Sequence, residues 1–191
     1  MNLMINLESK QDFFNDAAYW KAFIGGDRNA LELIYRRYIQ DLFRFGCSLL
    51  QDREQIKDLI QEVFIDLWKY HSNLQETDNV KNYLFKCLSN KIYKVSKDEA
   101  RRRSVMEEHT AGLSFVFDSP ESEMINLQRD ESIKKKLHEA IVGLPIRQKE
   151  VIHHLFFDHL SYEQTSALMN INLKSVYTLA WKAISSLKKT V

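Results

Sequence analysis

Apolar residues recur at steps of three and four along most of this chain, and that spacing confines it to helices. Leu31, Ile34, Tyr35, Tyr38, Leu42, Phe45 and Leu49 form one series. Ile56, Leu59, Ile60, Val63, Phe64 and Leu67 form a second, and Val80, Leu84, Cys87, Leu88, Ile92 and Val95 a third. A shorter helix is expected around Phe13 to Phe23. Gly25-Gly26 breaks the chain before Asp27, a plausible N-cap, and Asp52 is placed to cap the second series. Only five Gly and two Pro occur, too few to punctuate the short strands of a sandwich or barrel. The fold class is therefore all-α. A hydrophobic share of 45% supplies material for packed cores and excludes disorder throughout.

The 191 residues suffice for one domain or two small ones, and the pattern favours two. Periodicity fails between Arg103 and Glu123, where Gly112, Pro120 and several Ser occur. From Met106 to Glu131 seven acids stand against Arg129 alone. The expected organisation is a helical domain over 8–103, an acidic flexible linker over 104–122 and a second helical domain over 123–191. The apolar run Ser114 to Phe117 is out of character for a linker and reads as a docking segment. Helical pattern resumes with Ile133, Leu137, Ala140, Ile141 and Leu144. Pro145 then opens a further helix through Val151, Ile152, Leu155 and Phe156.

The C-terminal stretch carries the most specific local signals. Ser161-Tyr-Glu-Gln164 has the form of a capping box and opens a short helix to Met169. Asn170 suits the left-handed conformation of a tight turn, and Asn172 can cap a second helix with Val176, Ala180, Ala183 and Leu187 inward. A short helix, a three-residue turn and a longer helix make a helix-turn-helix. Lys174, Ser175, Thr178, Lys182 and Ser185 face outward, flanked by Tyr177 and Trp181. From Leu173 to Val191 there are four Lys and no acid. Amines and hydroxyls on a slim helix suit phosphates and base edges in a major groove. A helical hairpin with a solvated basic end is the plainer alternative.

Net charge is +1 and says nothing of partners, so the electrostatic signals are local. Glu54, Asp58, Glu62 and Asp66 stand four apart as an acidic stripe that works against its own helix. It suits a basic partner or a solvated surface. From Lys86 to Arg103 there are seven basic residues and two acids, with Tyr83, Phe85, Asn90 and Tyr93 interleaved. Rings among amines suit single-stranded nucleic acid, because bases stack while amines track the backbone. Several of those rings are also needed for the core.

Catalytic signals are lacking. No Gly-rich phosphate loop, Gly-x-Ser-x-Gly elbow or Cys/His pairing occurs. The six His form no zinc spacing, and His153, His154 and His159 are expected at the surface or as caps. No cofactor and no metal are expected. Cys47 and Cys87 lie 40 residues apart and read as buried thiols in a reducing cytosol, and no apolar run reaches the roughly 20 residues of a membrane span. A cytoplasmic protein without membrane insertion is expected.

Four motifs in order carry a family resemblance: Asp58-Leu-Ile-Gln-Glu-Val-Phe-Ile-Asp-Leu-Trp68, Tyr83-Leu-Phe-Lys-Cys-Leu-Ser-Asn90, Leu144-Pro-Ile-Arg-Gln-Lys-Glu-Val151 and Leu160-Ser-Tyr-Glu-Gln164. Together they resemble the extracytoplasmic-function (ECF) group of bacterial RNA polymerase sigma factors, over about residues 13 to 190. The resemblance implies a transcription initiation factor with no catalysis of its own, which binds core RNA polymerase and melts promoter DNA. It implies that Asp58, Leu59, Gln61 and Glu62 dock on the basic clamp helices of the polymerase's largest subunit. It places Leu74 and Asn90 at a pocket for a flipped base of the minus-ten element. Lys86, Lys94, Lys97, Arg101, Arg102 and Arg103 then follow the single strand. Lys174, Ser175, Tyr177, Thr178, Trp181 and Lys182 would meet the minus-thirty-five duplex, with the linker threading the polymerase. An anti-sigma partner is also implied.

This chain departs from the family pattern in three places. Leu179 and Trp181 stand where many relatives carry Arg and His, Thr165-Ser166 replaces Ile-Ala, and Asn170 replaces the turn Gly. Fewer basic groups predict weak DNA binding by the isolated second domain. Two other functions compete: a stand-alone helix-turn-helix regulator binding duplex DNA as a dimer, and an all-α metal-dependent hydrolase using Glu54, Asp58 and Glu62. The first leaves the acidic stripe and the basic run idle. The second lacks a facing acidic cluster.

Overall fold

The computed structural model describes residues 16–107 and 136–190, and every regular element among them is helical. The chain falls into two compact units, residues 1–92 and 93–191. In the first unit, helix α1 (16–24) ends at Gly26, whose φ of 98° turns the chain to Asp27. Asp27 caps α2 (Arg28–Leu49) by accepting from the amides of Asn29 and Ala30. Asp52 does the same for α3 (Arg53–Tyr70) through Glu54 and Gln55. A 3-10 turn (His71–Asn73) and a short loop lead to α4 (Val80–Glu107).

The second apolar series is buried in full: Ile56, Leu59, Ile60, Val63, Phe64 and Leu67. In α2 the buried set is Ala30, Ile34, Tyr38, Leu42, Phe45, Gly46 and Leu49, while Tyr35 lies 39% exposed. At Gly46 the α2 backbone lies directly against the Ile56 side chain of α3. A Cβ there would meet Ile56 Cγ2 at 2.5 Å, so only Gly fits. The Tyr38 hydroxyl donates to buried Asp16, which Arg37 also pairs at 3.2 Å, and this ties α1 to α2.

Ile92 is the last buried residue of α4 among those whose side chains are described. The helix nevertheless continues through 104–107, past the expected start of the linker. Residues 108–135, including the apolar run Ser114 to Phe117, lie outside the described residues.

The second unit holds α5 (136–142), α6 (Ile146–Ile152), a π-helical turn (His153–Phe157), α7 (Tyr162–Met169) and α8 (Leu173–Thr190). Two small clusters form its core. Val151, Met169, Val176 and Ala180 make one, and Leu144, Ile152 and Ala183 the other. Contrary to the surface expectation, His154 is 1% exposed. The π turn rotates it inward, where its Nδ1 meets Asp158 Oδ2 at 2.9 Å. His153 lies 3.7 Å from the same carboxylate, so both rings are held by Asp158. Glu150 is also buried and takes Arg147 at 3.0 Å.

Candidate protein and nucleic-acid interfaces

The acidic stripe of α3 is exposed along its length, but its four carboxylates differ in what they meet. Glu54 pairs with Lys57 at 2.6 Å on its own helix. Glu62 and Asp66 share Lys91 of α4, at 3.0 and 2.8 Å. Burial disfavours the Lys91 charge, but bonds from Asp66 and Glu62 outweigh it and hold the ammonium above its usual range. Asp58 makes no ion pair among the described residues. It lines, with Gln61, a groove of about 730 Å³ between α2 and α3 whose floor includes Tyr35, Ile39, Phe43 and Ile60. Leu59 does not join them: it is 4% exposed and seats α3 in the core. Three of the four residues assigned to docking are therefore presented outward, and the fourth acts through packing.

Lys91 carries no signal of its own in the sequence, where it is one lysine of a basic run. Only the placement of α4 beside α3 turns it toward two carboxylates.

On α4 the basic residues stand at helical spacing. Lys86 is half-buried, and Asn90, Lys94, Lys97 and Arg101 are exposed at successive turns, with exposed Arg102 beside them. The Arg103 side chain lies outside the described residues. The loop before α4 is pinned from below. Trp20 Nε1 donates to the Gln75 carbonyl at 2.9 Å, and the indole meets Tyr83 edge-on at 5.1 Å. Asn79 caps the helix by accepting from the Asn82 amide at 2.9 Å. Leu74, half-buried, follows the 3-10 turn and donates its amide to the His71 carbonyl. The loop is thus held at both ends while its polar edge stays exposed. Phe85 is core, packed on Phe45 at 4.8 Å, whereas Tyr93 is 41% exposed. Cys47 and Cys87 are half-buried free thiols, and burial pushes the Cys87 thiol up, away from reactivity.

In the second unit the capping box forms in both directions. Ser161 Oγ accepts from the Gln164 amide at 3.1 Å and Gln164 Oε1 from the Ser161 amide at 2.8 Å. Asn170 adopts φ 53° and ψ 45°, the left-handed conformation the turn needs. Asn172 Oδ1 caps α8 through the Ser175 amide at 2.7 Å. Ser175 is half-buried, while Lys174, Tyr177, Thr178, Trp181 and Lys182 are exposed on α8. A groove of about 480 Å³ opens at the start of α8, lined by Lys174, Ser175, Thr178 and Leu179, with Arg147 of α6 on its edge. Tyr162 lies flat beneath Tyr177 at 4.3 Å. The sequence places neither Arg147 nor Tyr162 near this face, because their positions come from the packing of α6 and α7 on α8.

Residues 34–102 match the family model for sigma-70 region 2, and residues 134–187 match that for sigma-70 region 4. Together the two span more than half of the chain. The chain is 23% identical over 159 residues to the ECF RNA polymerase sigma factor SigM of Bacillus subtilis, covering 83% of this chain and 93% of that protein. It is 23% identical over 163 residues to the ECF RNA polymerase sigma factor SigX of the same organism, covering 83% and 81%. Among solved structures, CnrH in complex with the cytosolic domain of CnrY aligns with a TM-score of 0.60 at 15% identity, over 91% of this chain and 95% of that one. The sigma factor RpoE of Bartonella quintana, in complex with the anti-sigma factor NepR, aligns with a TM-score of 0.56 at 22% identity, over 83% and 94%. At such identities these structures bear on the fold.

Proposed function

Because the chain belongs to the sigma-70 family of RNA polymerase sigma factors, and within it to the ECF group, we propose that its charged faces divide polymerase docking and promoter recognition among three helices. As a sigma factor it binds core RNA polymerase and promoter DNA and directs transcription initiation. Sigma factors are initiation factors without enzymatic activity.

Helix α3 is the docking element. The observation that carries this assignment is the exposed, unpaired Asp58 at the lip of an apolar groove. A basic helix from the polymerase can pair with Asp58 while its apolar side enters the groove, with Gln61 beside it. To reach Glu62 it must displace Lys91. Helix α4 then takes the melted minus-ten strand, with Lys86, Lys94, Lys97, Arg101, Arg102 and Arg103 along the phosphates. Asn90 and Leu74 border the pocket for an unstacked base, which costs a few kcal/mol to extrude. Helix α8 takes the minus-thirty-five duplex. The proposed domain bounds are 8–103 and 123–191, joined by the acidic segment 104–122, into whose first residues α4 continues.

Among the described residues no helix is long and apolar enough to cross a membrane. A chain that acts on core polymerase is expected in the cytoplasm. RpoE was solved with an anti-sigma factor, and a similar inhibitor is proposed here, competing for the α2–α3 groove.

The test is a pull-down of bacterial core RNA polymerase followed by run-off transcription. Replacing Asp58 and Glu62 together with Lys is expected to abolish polymerase binding while circular dichroism stays helical. Undiminished binding would remove α3 from the interface. Asn90→Ala is expected to impair promoter opening more than polymerase binding, and equal loss of both would make Asn90 structural.

A further inference from the structure

The solvent face of α8 lacks the side chains with which a recognition helix usually reads bases. From Leu173 to Thr190 the helix contains no Arg, Asn, Gln, His, Asp or Glu. Arg, Asn and Gln make the paired hydrogen bonds that identify guanine and adenine, and Asp or Glu accepts from cytosine. Asn172, one residue before the helix, has its side-chain oxygen engaged in capping the Ser175 amide. Thr178 Oγ1 donates to the Lys174 carbonyl at 2.8 Å, so its proton is already used. Ser175 is half-buried in the groove, and a single hydroxyl meets any base edge without discriminating among them. The two lysines also remain, but an ammonium is a point charge that follows phosphates more readily than it discriminates bases.

The face does offer aromatic surface. Trp181 is 68% exposed and Tyr177 50%, on consecutive turns of the helix. The Tyr177 ring is fixed in advance, stacked on Tyr162 with an interplanar angle of 14°. Tyr162 in turn packs on the core cluster of Val151, Met169, Val176 and Ala180. A ring held this way loses little freedom on binding. In the major groove the apolar group within reach of such rings is the C5-methyl of thymine.

We infer that α8 reads thymine: Trp181 and Tyr177 pack on C5-methyl groups in the minus-thirty-five element, while Lys174 and Lys182 hold the flanking phosphates. This rests on α8 being the duplex-reading helix. Duplex DNA is favoured over a protein occupant by charge, since α8 carries four Lys and no acid. Specificity then comes from methyl burial instead of hydrogen bonding, and each methyl contributes about a fourfold discrimination, the factor for burying one such carbon.

The experiment uses holoenzyme, the full chain with bacterial core RNA polymerase, and a promoter library randomised over the minus-thirty-five stretch. Selected promoters are expected to hold thymines there. Replacing those thymines one at a time by deoxyuridine, which removes only the methyl, is expected to weaken binding about fourfold at the contacted positions. Holoenzyme carrying Trp181→Ala is expected to bind thymine and uracil promoters alike at one of those positions, and Tyr177→Ala at another. Both side chains are exposed, and circular dichroism checks that the variants fold. A selected stretch without thymine, indifference of the wild type to uracil, or full methyl discrimination in both variants would each overturn the inference. Failure of the premise looks different: scrambling the whole stretch would then leave binding unchanged, and α8 would not be a DNA reader at all.

Discussion

The two domains solve the same packing problem by different means. The first buries large hydrocarbon side chains from long helices, with Trp20, Phe23, Phe45, Ile56, Ile60, Leu84 and Leu88 all nearly inaccessible. Its buried polar residues, among those described, are Asp16 and Ser89. The second domain has shorter helices and two small apolar clusters, and it buries Glu150, His154 and Thr165 among them. A unit built on two such small clusters buries a smaller share of its apolar surface, and polar contacts carry more of its definition. Polar geometry fixes it: the reciprocal capping box, left-handed Asn170, the π turn that inserts His154, and the Arg147–Glu150 pair. The lesson is that the long-helix core is defined mainly by apolar contacts, with the Asp16–Tyr38–Arg37 cluster as its polar tie, whereas the short-helix core holds more of its buried side chains by polar bonds.

The sharpest way to break that contrast is Glu150→Ala. Removing the acid leaves Arg147, whose side chain is 29% exposed, without its buried partner. A fully buried pair would cost about 3–5 kcal/mol, and partial solvation of Arg147 lowers this to about 2–3 kcal/mol. Two-step thermal unfolding of the full chain, with the second domain melting earlier, is the expected result. A single unshifted transition would show that the pair matters less than the apolar clusters.

In the first domain the matching test is Gly46→Ala. Alanine normally stabilises a helix interior by about 1 kcal/mol over Gly. Here the added methyl meets branched, buried Ile56, and the expected outcome is a net loss of about 1–2 kcal/mol from overpacking, read by urea denaturation. Stabilisation would mean that α2 and α3 can separate freely.

The smallest expected effect comes from Lys91→Ala. Loss of a partly exposed ion pair costs under about 1 kcal/mol in stability. Freed from Lys91, Glu62 and Asp66 become available to polymerase, so binding is expected to tighten a few-fold at low salt. Because the folded state raises the Lys91 pKa, the contribution of the pairing to stability is fully present below pH 10.5 and lost as pH rises through the higher folded value. Added salt should shrink the difference between variant and wild type, and weaker binding by the variant would make Lys91 itself a polymerase contact.

Much of this was legible in the residues. The buried face of α3 follows its apolar series residue for residue, because a period near 3.6 leaves only one face to bury. Asp27, Asp52, Ser161, Gln164, Asn170 and Asn172 each occupy the capping or turn position that their short polar side chains suggest. Tyr35 belongs to the α2 series by spacing yet is 39% exposed, at the wall of the groove. Periodicity marks an apolar face but does not say how much of it a neighbour covers. His154 is buried against the surface expectation because a π turn changes the residue count per turn, and no local composition signals it. Leu59 belongs to the Asp58–Glu62 motif yet is 4% exposed, because the stretch that turns its acids outward must also seat α3 in the core.

The sequence by itself determined the helical class, the helix starts, the helix-turn-helix and the two regions of opposite charge, since these depend on spacing and side-chain chemistry within one or two turns. Tertiary structure alone decided which charges are left for partners. Lys91 cancels part of the acidic stripe and Asp58 stays free. Tyr162 fixes Tyr177, and Gly46 is demanded by Ile56. Each of these joins residues from different helices, and the distance between two helices is set by how their faces pack, which no local pattern encodes.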